Sequence, residues 1–220
     1  MMASLPAERL AVFTLKERPE LRAQAFSAEF AAAVPEFMRH DPVAALYYAD
    51  RALDRYLDFV LVAVDRENPG RVIARAVSAL EIMVLPPYRG RGVSQLMLRA
   101  LRDNSGARDV ADLYAPVRPT EKHRHPRMPF ADYIAMIRED GLPQDAWVRA
   151  HVRLGASIVK VAPCSMVIAG TLAEWSLWTG LAFEHSGDII VPGALAPVHV
   201  SREQDHAVYI EPNLWMHHRL

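Results

Sequence analysis

The 220 residues contain one cysteine, Cys164. A lone thiol closes no internal disulfide, so packing must hold the fold, and a reducing cytoplasmic setting is the expectation. Cys164 lies in the largely apolar run Val161 to Ile168, which predicts a buried, inert thiol rather than a nucleophile. No stretch of 18 apolar residues and no signal-peptide pattern occurs, so no membrane partner is expected. A charge of one sign is also lacking. The 25 Lys and Arg face 26 Asp and Glu, a formal net charge of −1, and that balance makes no electrostatic case for nucleic acid. No Gly-Lys-Ser/Thr is present, which removes a P-loop. No internal repeat or linker composition interrupts the chain. What remains is 51% hydrophobic, enough for a sizeable core, and reads as one domain over residues 1–220.

The most informative run is Leu80 to Leu98, LEIMVLPPYRGRGVSQLML. Its apolar first part, rich in Ile and Val, predicts a buried strand that Pro86 and Pro87 stop. Arg89-Gly90-Arg91-Gly92-Val93-Ser94 then opens into Gln95 to Leu101, a run of strong helix formers. A strand, a glycine turn and a helix start make an anion site. The first helical N–H groups have no internal partner, and glycines let a phosphate approach the backbone. The plain alternative is an ordinary strand-to-helix connection with two solvated arginines. A dinucleotide fingerprint fails, because Gln95 stands where the third glycine is needed.

These residues resemble the acetyl-CoA pyrophosphate loop of the GNAT N-acetyltransferase superfamily. That pattern runs from an apolar strand through Val-x-Pro and two residues to Arg/Gln-x-x-Gly-x-Gly/Ala. Here it stands as Val84-Leu85-Pro86-Pro87-Tyr88-Arg89-Gly90-Arg91-Gly92-Val93-Ser94, with Ser94 as the one departure. The resemblance implies an α+β fold with a central mixed, mostly antiparallel twisted sheet flanked by helices. It implies acetyl-CoA or another acyl-CoA as co-substrate, no metal, and acyl transfer to a small-molecule amine by direct attack in a ternary complex. Arg89, Gly90, Arg91, Gly92, Val93 and Ser94 would hold the cofactor, and backbone at Met83 or Val84 would meet the thioester beside a splay in the sheet.

Elsewhere, Leu10–Leu15 and Asp58–Val64 read as strands. Asn68-Pro69-Gly70 reads as a hairpin turn into Arg71–Ser78. Glu20–Phe30 and Val43–Tyr56 have helical spacing, the latter behind Asp41-Pro42. Arg71 to Leu85 holds no Gly, Pro, Asn or Asp. Either one strand is long and bent, or a connecting segment is missing from one wall of the acceptor site. Residues 118–129 form a long, polar, proline-rich loop, of the kind that is usually functional or mobile. Asp145 should cap a helix ending at Gly155, and Thr171-x-x-Glu174 is a capping box closed by Gly180.

For chemistry, Glu81 is the only acid from Val72 to Val93 and is the candidate general base, against a structural ion pair or a water relay. By the resemblance His151, in Ala150-His151-Val152-Arg153-Leu154-Gly155-Ala156, sits where many members carry a tyrosine acid. Imidazole suits proton donation near neutrality, against a packed histidine at a helix end. Glu36 and Phe37 on the first helices, with Glu121 and Tyr133, are candidate substrate contacts, and core packing is the alternative for Phe37. Glu121, His123 and His125 lack a third metal ligand at matching spacing. The tail Tyr209–Trp215 would close the cleft, form a homodimer contact or simply pack. Two other readings stay open: a GNAT-fold module that holds acyl-CoA without transfer, and an O- or S-acyltransferase or thioester hydrolase.

Overall fold

The computed structural model describes residues 7–78 and 80–220. In chain order its elements are β1 (Leu10–Thr14), α1 (Arg22–Ala25), α2 (Ala28–Ala31), α3 (Pro42–Tyr48), α4 (Asp50–Leu53), β2 (Val60–Asp65), β3 (Asn68–Val77), β4 (Glu81–Val84), α5 (Val93–Gly106) and β5 (Asp112–Val117). They continue as α6 (Phe130–Ile134), α7 (Ala146–Arg153), β6 (Ser157–Gly170), α8 (Leu172–Thr179), β7 (Gly187–Ile189), β8 (Val198–Ser201) and β9 (His206–Arg219). The chain forms two compact units. The first takes the described residues up to Val34, Tyr48–Ala115 and His217–Leu220, and the second takes Pro35–Tyr47 and Pro116–Met216.

The first unit is built on the antiparallel sheet β1-β2-β3-β4. β2 is buried along its whole length because both faces are covered. Val60, Val62 and Val64 face a cluster with Leu21, Ala25 and Phe30, while Leu61 and Ala63 face one with Val93, Met97 and Leu101 of α5. The alternation is the period of a strand sandwiched between helices. The expected helix over 20–30 is instead a 3₁₀ turn followed by α1 and α2, broken where Ser27 adopts an extended N-cap conformation. The helix expected over 43–56 breaks at Ala49 in the same way.

Two turns also differ from expectation. The β2–β3 hairpin turns at Arg66-Glu67, not at Asn68-Pro69-Gly70, which belongs to β3. Asp65 supplies the reason: its Oδ1 accepts the Glu67 N–H at 3.0 Å while Arg9 grips both carboxylate oxygens. The register shift after Val64 then absorbs the proline and glycine as an irregularity. β3 and β4, expected as one bent strand or as flanking a missing segment, are joined by a tight turn between Val77 and Glu81, with Leu80 N–H donating to Val77 O at 2.7 Å. Ala79 lies outside the described residues.

The end of β9 meets the start of β5 in this unit. Leu220 N–H donates to Ala111 O, and the His217 ring stacks on Tyr114 at 4.4 Å with Nε2 2.6 Å from Asp112 Oδ1. Next to it His218 is fully buried. Burial first, then the charges of Arg102 and His217, push its imidazole down from 6.5 to about 4. A depressed folded value means that the unfolded chain takes up the proton first. Stability is therefore complete above pH 6.5 and falls as pH drops towards 4, by about 3 kcal/mol over that window. His218→Phe should flatten this part of the pH–stability curve relative to the native chain in urea titrations. An unchanged slope would refute the assignment.

In the second unit β9 pairs with β6 and with β8, and β8 pairs with β7. Its core is aromatic: Phe37, Trp175, Phe183 and Tyr209 pack with Ile168, Val198 and Val200. The capping box at Thr171 and Glu174 and the left-handed Gly180 delimit α8 as the spacing predicts. Cys164, expected to be buried, is exposed on β6, because its apolar neighbours belong to a strand with few covered positions. No helix among the described residues is long and apolar enough to cross a membrane.

Candidate functional site

The loop from β4 to α5 has the geometry of an anion cradle. Gly90 and Gly92 have φ of 72° and 82°, a region costly for any residue with a Cβ. Gly92 is the N-cap of α5, no side chain caps that end, and the first helical bond is Leu96 N–H to Gly92 O. The N–H groups of Val93, Ser94 and Gln95 thus lack intrahelical partners and lie at the positive end of a 14-residue dipole. A Cβ at either glycine would meet nothing within 4 Å, so open space lies in front of the loop. Arg89 does not stand free as a solvated cation. Its Nε donates to Val84 O at 3.0 Å and its Nη2 to Ala33 O at 2.9 Å, which fastens the loop to β4 and to the segment after α2.

Strand parity separates the two backbone candidates. Leu85 N–H donates to Ile73 O, and Met83 pairs with Arg75 in the same register. Hydrogen-bonded pairs alternate along an antiparallel ladder, so Met83 shares the parity of Leu85 and spends its backbone groups on β3. Val84 and Ile82 face outward, as the Arg89 bond to Val84 O independently requires. β4 is the last strand of its sheet and does not pair with β5, which belongs to the other sheet. The free edge therefore presents the Val84 N–H, and Met83 contributes packing.

Glu81 begins β4 with its side chain 20% exposed and its Oε1 2.6 Å from Arg75 Nε. Arg75 is itself buried, donates to Ala25 O at 2.6 Å, and lies over the rings of Phe26, Phe30 and Tyr48 at 4.5, 5.4 and 5.5 Å. Burial, reinforced by the Glu81 carboxylate, pushes the Tyr48 phenol up. The carboxylate is thus the counter-ion of a guanidinium held in an aromatic box, the structural alternative for this residue.

The second unit brings Glu121 and Tyr133 together through Asp145. Asp145 Oδ1 caps α7 by accepting from Trp147 and Val148 N–H, while Oδ2 accepts from Glu121 N–H at 3.0 Å and from the Tyr133 hydroxyl at 2.9 Å. Tyr133 is 3% exposed, so its hydroxyl holds the helix cap rather than facing a ligand. The Glu121 side chain is partly exposed beside Arg124 at 3.2 Å. His151 on α7 is buried with its ring edge-on to Trp147 at 4.7 Å. Phe37 is also not a surface contact, because it is buried between Trp175 at 5.7 Å and Tyr209 at 5.4 Å. Glu36 pairs with Arg39 and lies 3.7 Å from His40. No group of three or more His, Cys, Asp or Glu suited to a metal occurs among the described residues.

Comparison with solved structures follows this architecture. The loading GNATL domain of CurA from Lyngbya majuscula superposes with a TM-score of 0.52 at 14% identity, over 70% of this chain and 87% of that domain. The GphF GNAT-like decarboxylase, in complex with isobutyryl-CoA, gives 0.51 at 13% identity over 96% and 98%. The chain has the GNAT fold. An arginine N-acetyltransferase of Aspergillus versicolor, avaD, is 31% identical over 160 residues, 64% of this chain and 55% of that protein. The chain therefore spans about half the length of the curated relative that it matches. No protein-family model matches it. Within the GNAT fold the unpaired edge of β4 beside the capless start of α5 is where the loop motif lies. In the second unit Lys122 is buried at 1% exposure, which no local pattern predicts.

Proposed function

We propose that the chain is an acyl-CoA-dependent N-acyltransferase, with acetyl-CoA as donor and a small cationic amine such as arginine as acceptor. The observation that carries this is the open α5 N-terminus, framed by two left-handed glycines, next to the outward Val84 N–H. The pyrophosphate of CoA would accept from the free N–H groups of Val93, Ser94 and Gln95, with Arg91 adding charge. The Val84 N–H would donate to the thioester oxygen as negative charge develops there. The neutral amine attacks the carbonyl carbon, the C–N bond forms, and the C–S bond breaks. The amine proton leaves through Glu81 or a water that it holds, and the departing thiolate takes up a proton, the step for which His151 is the acid suggested by its place in the chain. The name of the Aspergillus relative supports arginine.

The test is thiol release from acetyl-CoA across an amine panel that includes arginine, with CoA binding measured by calorimetry. Amine-dependent release supports the reading; CoA binding with no release across the panel would replace it with a non-catalytic acyl-CoA module. The engagement of Glu81 by Arg75 and the burial of His151 favour that second reading. Two variants sharpen the donor half. Gly92→Ala forces a Cβ into the left-handed region at about 1–2 kcal/mol, and CoA affinity should fall by roughly tenfold as the loop relaxes away. Gly70→Ala, where there is no positive φ and nothing within 4 Å, should leave it unchanged. Equal affinities in the two variants would refute the cradle. His151→Ala should lower kcat with KM for CoA preserved; an unchanged kcat at saturating amine removes its role as acid.

A further inference from the structure

Lys122 is the most deeply buried cation of the second unit, at 1% exposure. Its Nζ donates to two neutral carbonyls, His125 O and Leu195 O, each at 2.7 Å, and lies 6.0 Å from the Tyr133 ring centroid. Among the described residues no carboxylate comes within ion-pair distance of it. Desolvation accordingly lowers its pKa, and a full charge without a counter-charge is what interiors avoid. An ammonium has three donors, and two are used.

Lys122 also lines a cavity of about 310 Å³, together with Arg127, Met128, Phe130, Pro197 and Asp188. Arg127 is exposed and makes no ion pair among the described residues. The walls are otherwise largely apolar. Asp188, engaged by His199 at 3.1 Å, adds a negative charge that opposes a polyanion. The volume lies at the small end of ligand pockets, about 300–1,000 Å³, which suits a molecule of amino-acid size rather than a nucleotide. Lys122 and Arg127 both belong to the long polar loop of residues 118–129, and loops of that length are usually functional.

We infer that Lys122 and Arg127 form a carboxylate-binding site in this cavity, which takes the carboxylate of a small organic acid or amino acid. A monoanion matches the one buried cation at the cavity wall, uses its third ammonium donor, and gives Arg127 a partner for its fork of N–H groups. For an amino-acid acceptor the site would grip the end of the molecule that does not react. That use rests on the N-acyltransferase reading, whereas the carboxylate site itself does not.

The experiment is calorimetry on the full chain with L-arginine, with agmatine, which lacks the carboxylate, and with acetate. L-Arginine should bind at least tenfold more tightly than agmatine, and Lys122→Met and Arg127→Met should each abolish that preference. Arg127 is on the surface, so its variant keeps the test valid if Lys122→Met fails to fold, and Lys122→Arg should retain binding. Acetate that competes with L-arginine marks the carboxylate as the recognised group. Acetate binding that needs Lys122, without any preference for L-arginine over agmatine, identifies a free organic acid as the ligand. The inference is overturned if no carboxylate binds, or if binding survives in both folded methionine variants. Thiol release is scored separately. Equal turnover of agmatine and arginine by the native chain would sink the amino-acid use while leaving the transferase reading intact. Carboxylate binding through Lys122 with no thiol release would sink the transferase reading, and the acceptor use with it, while leaving the carboxylate site intact.

Discussion

Replacing Trp175 with alanine should destabilise the protein by about 3–5 kcal/mol, the range for deleting a large buried aromatic. The indole is fully buried, and its Nε1 donates to Ala207 O at 3.0 Å. It stacks on Phe37 at 5.7 Å and 29°, and meets Trp178 at 5.3 Å and Phe183 at 6.5 Å. Removing it takes away the element around which the other rings of the second unit are arranged. It also leaves a buried carbonyl without its donor, a loss of about 1–3 kcal/mol within that total. Trp175→Phe separates the two effects. The ring contacts largely survive and the carbonyl alone is orphaned, so the loss should fall to about 1–3 kcal/mol. Urea titration followed by far-UV circular dichroism gives both values. If the alanine variant cost less than the phenylalanine variant, the aromatic cluster would not be the structural centre of the unit.

The parts that local rules govern were legible in the chain, and those that tertiary contacts govern were not. Gly90 and Gly92 announce a left-handed turn because other residues pay a steric penalty there, and both adopt it. Asp145 and the Thr171–Glu174 pair act on N–H groups two or three residues away, so spacing alone places their caps. The hairpin lies at Arg66-Glu67 and not at Asn68-Pro69-Gly70 because an Asp65 side chain fixed by distant Arg9 overrides the stronger turn composition. Val84 and Met83 were equivalent in the chain, since only a register says which of two neighbours faces outward. Phe37 and Tyr133 carry functional side chains that happen to be spent on packing and on a helix cap. Lys122 stands between Glu121 and His123 and reads as a solvated loop lysine; only the returning chain at Leu195 buries it.

Breaking the pair between Arg75 and Glu81 should be the other large effect. Arg75→Met leaves a mostly buried carboxylate without its guanidinium and should cost about 3–5 kcal/mol. Glu81→Gln keeps an acceptor for Arg75 and, with Glu81 partly exposed, should cost less, about 1–3 kcal/mol. The double variant Arg75→Met/Glu81→Gln removes both charges from a box already walled by Phe26, Phe30 and Tyr48. It should therefore be more stable than Arg75→Met alone, with a coupling of about 0.5–3 kcal/mol. The same cycle decides what Glu81 would do in the proposed acyl transfer. A base that acts directly is lost whenever the carboxylate is lost, so Glu81→Gln would lower kcat by at least about 100-fold while Arg75→Met retained activity in the folded fraction. A counter-ion acts only through the position of Arg75 and β4. In that case kcat would follow stability across all three variants, and the proton would leave the amine through water. Parallel losses in Glu81→Gln and Arg75→Met, matched by their unfolding free energies, would remove Glu81 from the chemistry and keep it in the fold.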